Sequence, residues 1–114
     1  MNDLLRPAIY DAEHEFLPVN EERNNHNKIV ADIVGPICES SDVFSKNTTL
    51  PKMTSGDFLA IYSAGAYGAV MSSEYNSRPL IPELIVNENL VSVVRSRPKI
   101  EDVIKRDQIP YWLR

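Results

Sequence analysis

The sequence predicts a mainly β domain carrying three short helices. Short apolar runs, each bounded by turn-forming or polar residues, recur at residues 28–34, 58–62, 83–87 and 90–95. The last two runs are separated by a tight polar turn, which is a hairpin pattern. Helical signals are confined to three brief segments.

In chain order, Asn2-Asp3 is placed to cap a helix from Leu4 to about Ala12. Pro7 falls in its first turn, where no backbone N–H is required. Arg6 and Tyr10 then lie one turn apart on one face. Residues 15–19 form a short strand or loop entry, and the Asn- and Glu-rich stretch 20–27 a turn. Residues 28–34 alternate as a strand that Gly35-Pro36 ends. Residues 44–56 are mostly connection, with Pro51 and a Thr-Ser-Gly turn at 54–56. Residues 58–62, apolar on both faces, should be a buried strand. Ala64-Gly65-Ala66-Tyr67-Gly68 turns the chain into a short helix ending near Tyr75. After the hairpin comes the best helix, Pro98 to Asp107. Glu101 and Asp102 stand in its early turns and Lys105 and Arg106 near its end, each sign matching the helix dipole. Ile100, Val103 and Ile104 make its expected buried stripe.

The chain has 114 residues, enough for one small domain. Its 43% hydrophobic and 25% charged content argues against disorder. The net charge is −4 and there is no basic stripe, so nucleic acid and anionic membrane surfaces are poor partners. No apolar run approaches the length of a membrane span. One cysteine without CxxC companions points to a reducing, cytoplasmic setting and to neither a disulfide nor a zinc site. The four-strand arrangement leaves unpaired edges, so an amino-terminal part of a larger protein is expected to be missing.

Three clusters carry chemistry. Cys38 sits in Gly35-Pro36-Ile37-Cys38-Glu39-Ser40-Ser41-Asp42, a thiol beside a carboxylate and hydroxyls. A carboxylate neighbour favours the protonated, donating form of a thiol. Gly65-Ala66-Tyr67-Gly68 lets a ligand approach the backbone, and the phenol of Tyr67 suits a phosphate. Arg6 with Tyr10 suits a carboxylate. Taken singly, each is commoner as plain structure: a small buried thiol, a tight turn with an aromatic plug, a solvated arginine with a half-buried tyrosine. His14 and His26 lack partners at metal spacing.

Their joint order is more specific. Met1-Asn2-Asp3-Leu4-Leu5-Arg6-Pro7-Ala8-Ile9-Tyr10-Asp11-Ala12, Val34-Gly35-Pro36-Ile37-Cys38-Glu39-Ser40, Gly56-Asp57, Gly65-Ala66-Tyr67-Gly68 and Tyr75-Asn76-Ser77-Arg78-Pro79 follow one another along the chain. This series resembles the carboxy-terminal region of the diaminopimelate decarboxylases, a family of fold-type III pyridoxal-phosphate-dependent enzymes, over essentially the whole chain. The resemblance implies a β-sandwich or Greek-key barrel of the alanine-racemase carboxy-terminal kind, incomplete at its amino-terminal end. Residues 1–114 would be that domain, and the (β/α)8 cofactor-binding barrel of the family would be absent.

The resemblance also implies a function. Family members convert meso-2,6-diaminopimelate to L-lysine and CO2 with pyridoxal 5'-phosphate, as dimers with active sites at the subunit interface. Cys38 would be the proton donor and Glu39 a substrate ligand reaching into the partner's site. Arg6 and Tyr10 would bind the distal end of the substrate, and Tyr67 would lie near substrate and cofactor phosphate. Ser41 departs from the Gly or Ala usual in the motif. None of Lys28, Lys46, Lys52, Lys99 or Lys105 lies in a motif matching the Schiff-base lysine, so the chain alone is expected to be inactive. It would pair with a second copy or with a barrel-containing chain. Two alternatives stand beside this reading: a related ornithine, arginine or carboxynorspermidine decarboxylase domain, whose relatives tend to carry Cys-Asp, or a non-catalytic dimerisation or regulatory fragment.

Overall fold

The computed structural model describes residues 2–114. Its elements follow the chain as α1 (Arg6–Tyr10), β1 (Phe16–Pro18), a 3-10 turn (Glu21–Asn25), β2 (Lys28–Val34), β3 (Val43–Pro51), β4 (Leu59–Ile61), α2 (Gly65–Met71), a second 3-10 turn (Tyr75–Ser77), β5 (Glu83–Asn87), β6 (Leu90–Arg95), α3 (Ile100–Ile104) and a last 3-10 turn (Tyr111–Leu113). The strands form three antiparallel pairs: β1 with β4, β2 with β3, and β5 with β6. The expected mainly β class with short helices is what the chain adopts.

The core is small. Leu4, Phe16, Ile37 and Leu50 are its buried apolar side chains, joined by buried Asn2 and Asp42. The radius of gyration is 17.4 Å, against about 13 Å for a compact chain of this length. The accessible surface, 8884 Å², likewise exceeds the roughly 6,300 Å² of a compact monomer of this mass. Three separate two-stranded pairs leave much of their strand faces uncovered. Phe58 and Tyr62, expected in a buried strand, are therefore 78% and 50% exposed. The β5–β6 hairpin forms with the expected limits, yet Leu84, Val86, Leu90, Val91 and Val93 all face outward.

Residues 44–56 correct the reading of a connection, because most of them belong to β3. Lys46, Asn47 and Thr49 face solvent there, Ser45 and Thr48 are half-buried and share a hydrogen bond, and the polarity of the run imitates a loop. β2 and β3 pair from Lys28 opposite Pro51 to Val34 opposite Val43, with register shifts around Ala31–Ile33 and Ile33–Val34. At this irregularity Asn47 takes a left-handed φ of 52° and donates its backbone N–H to Asp32 Oδ1 at 2.8 Å. Residues 35–42, holding Cys38, are thus the connection of a β-hairpin.

The helices are shorter than their sequence patterns. α1 spans Arg6–Tyr10, with Pro7 in its first turn as expected, but Leu5 is its N-cap and no side chain caps it. Asn2 is drawn elsewhere: its amide donates to Ser73 O (3.2 Å), and Ser73 N–H donates to Asn2 O (2.9 Å). α3 covers only Ile100–Ile104, and Ile100 and Ile104 are 42% and 62% exposed rather than buried. No neighbouring layer lies over that face to cover the stripe. Lys99 N–H donates to Asp102 Oδ2 at 3.2 Å, which begins the helix.

Two polar devices hold loops to strands. In the turn closed by Gly56 (φ 96°), Asp57 accepts from Thr54 N–H (2.7 Å), Thr54 Oγ1 (2.9 Å) and Arg23 Nη2 (2.8 Å). These donors, the Thr54 backbone first, hold its carboxyl below the usual range. His14 places Nδ1 2.9 Å from Tyr62 O; a carbonyl only accepts, so the ring proton sits on Nδ1.

Candidate functional site

The loop 35–42 is built around one buried carboxylate. Asp42, 3% exposed, accepts the Ile37 N–H at Oδ2 (2.7 Å), while its carbonyl accepts the Gly35 N–H (2.9 Å). Ile37 points into the core, and the next residue, Cys38, is turned out to solvent. Its Sγ lies 3.6 Å from Asn76 Nδ2, which donates to it. Glu39 is also exposed, and its carboxylate accepts the Ser41 hydroxyl.

Glu39 lines a groove of about 280 Å³. Leu5, Ser73 and Tyr75 share its lining with the buried Asn2, Ile37 and Asp42. A larger groove, about 560 Å³, runs between Asp11–His14 and Val43–Lys46. None of the sequence-derived candidates lines it, so the smaller groove is the one with chemistry at its rim.

Arg6 follows Leu5 directly and opens α1. Its Nη1 donates to Ser63 O at 3.1 Å, which ties α1 to the turn before α2. One contact leaves most of the five guanidinium donors for a ligand. Tyr67 sits inside α2, where Ala66 (ψ 126°) and Tyr67 (φ 63°) break the helical path. The Tyr67 side chain is 62% exposed, and its hydroxyl makes no hydrogen bond among the described residues. A left-handed φ at a bulky aromatic residue is backbone strain of the kind concentrated at functional sites. The adjacent Gly68 is buried near Leu4: a Cβ there would lie 3.8 Å from Leu4 Cδ1.

The segment Asn2–Arg6 is therefore the hub. Leu4 meets the Tyr67–Gly68 turn, Leu5 shares a groove with Glu39, and Arg6 holds the approach to α2. Tyr10 is less integrated: it is 61% exposed at the far end of α1, without a hydrogen bond among the described residues. Sequence reasoning assigned no role to Asn76, although its motif was one of the matching blocks. The signal available was Tyr75-Asn76-Ser77, an Asn in a short polar stretch between helix and hairpin, where left-handed backbone is easily adopted. Asn76 and Ser77 take φ of 57° and 56°.

Among the described residues, no three His, Cys, Asp or Glu groups converge. Nor is any described helix long and apolar enough to cross a membrane.

Comparison with known proteins gives the geometry a context. Residues 1–65 match the family model described as pyridoxal-dependent decarboxylase, C-terminal sheet domain. A diaminopimelate decarboxylase of Zymomonas mobilis is 45% identical over 113 residues, which cover 99% of this chain and 26% of that protein. The crystal structure of diaminopimelate decarboxylase from M. jannaschii in co-complex with L-lysine superposes with a TM-score of 0.89 at 39% identity, covering 99% of this chain and 25% of that one. The diaminopimelate decarboxylase of Helicobacter pylori complexed with L-lysine gives 0.84 at 42% identity, covering 93% and 26%. The chain thus spans about a quarter of the length of the relatives it matches. With more than half of its residues matched by one family model and its strands superposing on solved members, the chain belongs to the pyridoxal-dependent decarboxylase C-terminal sheet domain family.

Proposed function

We propose that this chain acts as the carboxy-terminal β domain of a diaminopimelate decarboxylase, supplying a proton donor and substrate ligands to a site completed by a (β/α)8 barrel. The observation that carries this reading is the exposed Cys38-Glu39 pair on a loop braced by buried Asp42, with Glu39 lining a groove shared with Leu5 of the Arg6-bearing segment. The 45% identity to a diaminopimelate decarboxylase along nearly the whole chain supports the substrate class.

Pyridoxal 5'-phosphate fits these residues at one edge only. Tyr67 offers an exposed phenol without a hydrogen-bond partner among the described residues, in a turn flanked by Gly65 and Gly68. All five lysines are exposed, and none lines the groove beside Glu39. The lysine that holds the cofactor then belongs to another segment or chain. When bound, the cofactor supplies the electron sink for loss of CO2.

This chain's own residues supply binding and a proton. Cys38 delivers a proton from Sγ to the carbon that has lost CO2, from the side on which the loop presents it. Arg6 takes the distal carboxylate through its free guanidinium donors, with Tyr10 beside it, and Glu39 takes the distal ammonium. Together they discriminate a substrate with two charged ends, because an unmatched buried charge is costly, about 3–5 kcal/mol. Dimerisation, or pairing with a barrel-containing chain, brings Cys38 and Glu39 to the partner's cofactor.

The test is reconstitution. The chain is mixed or co-expressed with a barrel segment from a diaminopimelate decarboxylase and supplied with cofactor, then assayed for CO2 release from meso-diaminopimelate, ornithine and arginine. Turnover of diaminopimelate only in the mixture is expected. Turnover by the 114-residue chain alone, or a preference for ornithine or arginine, overturns the reading.

A further inference from the structure

Cys38 has a polar neighbour that the proposed function leaves without a role. Asn76 directs Nδ2 at Cys38 Sγ at 3.6 Å, across 38 positions of sequence. The approach is held by backbone rather than by chance of rotamer. Asn76 and Ser77 both occupy left-handed φ, and Arg78 N–H closes the turn on Tyr75 O. Upstream, Ser73 is clamped to Asn2 by two hydrogen bonds, and Glu74 is held by the Arg106 guanidinium, whose Nη2 donates at 3.0 Å. The segment bearing Asn76 is fixed at its entrance and turns through two left-handed residues at its tip.

We propose that Asn76 is a positioning residue for the Cys38 thiol, orienting its S–H away from the loop and holding the thiolate that remains after proton transfer. The inference rests on the reading of Cys38 as proton donor. An amide N–H on sulfur occupies a lone pair, so the S–H hydrogen must point elsewhere, toward open space. When the proton leaves for carbon, the electron pair of the S–H bond stays on sulfur. The same N–H then donates to an anion, and a hydrogen bond to the charged form favours that form. Solvent returns the proton and restores the thiol. Among the described residues the Asn76 side chain makes one hydrogen bond, to Cys38, and it acts through that residue.

Cys38 is the only cysteine of the chain, so alkylation by iodoacetamide reads this thiol alone. The charged and titratable groups flanking this contact are Glu39 and Asp42 on the Cys38 loop and Glu74, Tyr75 and Arg78 on the facing turn, with Arg106 held against Glu74. They are unchanged in the variant Asn76→Gly, which keeps the left-handed backbone; Asn76→Asp replaces the donor by an acceptor and adds a carboxylate beside the sulfur. The midpoint of the alkylation rate against pH in the 114-residue chain should rise by about 0.5–1 unit in Asn76→Gly, and further in Asn76→Asp. A change in accessibility or packing alters the plateau rate but leaves the midpoint in place. In the reconstituted enzyme both variants should lower kcat with KM within about twofold.

A midpoint equal to wild type in both variants, with unchanged circular dichroism, overturns the inference whatever the turnover. A shifted midpoint with unchanged kcat upholds the contact and instead removes Cys38 from the proposed proton transfer, so the two readings fail separately.

Discussion

The carboxylate of Asp42 rests against Gly35, in the space that a Cβ at position 35 would occupy. The hairpin connection closes only because one residue has no side chain and the other is an acid that fills the gap. Asp42 accepts from Ile37 in the same loop, so the pair sets where the backbone leaves the core and where Cys38 emerges.

A methyl group at position 35 forces that carboxylate to move. Gly35→Ala is expected to cost about 1–3 kcal/mol of stability, the usual scale of overpacking. Urea unfolding followed by circular dichroism measures it. A midpoint equal to wild type would show that the loop rearranges freely.

The donors around Asp57 predict a pH dependence. Its carboxyl is held below its ordinary value of 3.8 by Thr54 and Arg23. The folded state binds this proton less readily than the unfolded chain. Its stabilising contribution is therefore complete above the ordinary value and is lost as pH falls through that value and on through the lower folded one. Denaturation midpoints measured from neutral pH down through this window should fall more steeply for wild type than for Asp57→Ala. Parallel curves would remove the assignment.

Arg106 and Glu74 join the carboxy-terminal segment to the turn that carries Asn76. Glu74 raises the Arg106 pKa above its ordinary value, through hydrogen bonding and charge. The pair is partly open to solvent, so salt screens it. Arg106→Ala should increase proteolytic cutting around α3 at low salt, and the difference from wild type should shrink at high salt. Equal cutting at low salt contradicts the brace.

Tyr67 combines an exposed ring with left-handed backbone. Asn tolerates that conformation better, and little packing is lost with the ring. Tyr67→Asn should raise stability by about 0.5–1 kcal/mol while lowering turnover of the reconstituted enzyme. Denaturant melts and kcat on the same preparation read both effects. A variant that is less stable than wild type would place Tyr67 in the packing instead.

In the reconstituted enzyme, Cys38→Ala is expected to lower kcat by about 10²–10⁴-fold, the range of a lost general acid, with little change in KM. Arg6→Lys keeps a charge but loses the planar fork, and should chiefly raise KM. The opposite pattern would exchange the proposed roles.

Strands whose apolar residues cluster were legible from the sequence: 28–34 and the 83–95 hairpin have their expected limits. β3 was not, because Ser45, Lys46, Asn47, Thr48 and Thr49 are polar on both of its faces and carry no hydrophobic period. Burial misled at Phe58 and Ile104, since an apolar residue signals a covering layer but does not supply one. At the site, Cys38, Glu39 and Arg6 were visible as residue types with chemistry. Asn76 was not, because its value lies in a contact with Cys38 that no local spacing encodes.

The reciprocal clamp between Asn2 and Ser73 spans 71 positions of chain. Closing so long a loop carries an entropic cost before any contact compensates it. The β2–β3 hairpin can form locally, whereas the groove beside Glu39 requires the two distant segments to have met. Folding kinetics should therefore be biphasic in space: the thiol-bearing loop is made early, and the wall facing it is added in the slow, topology-limited step.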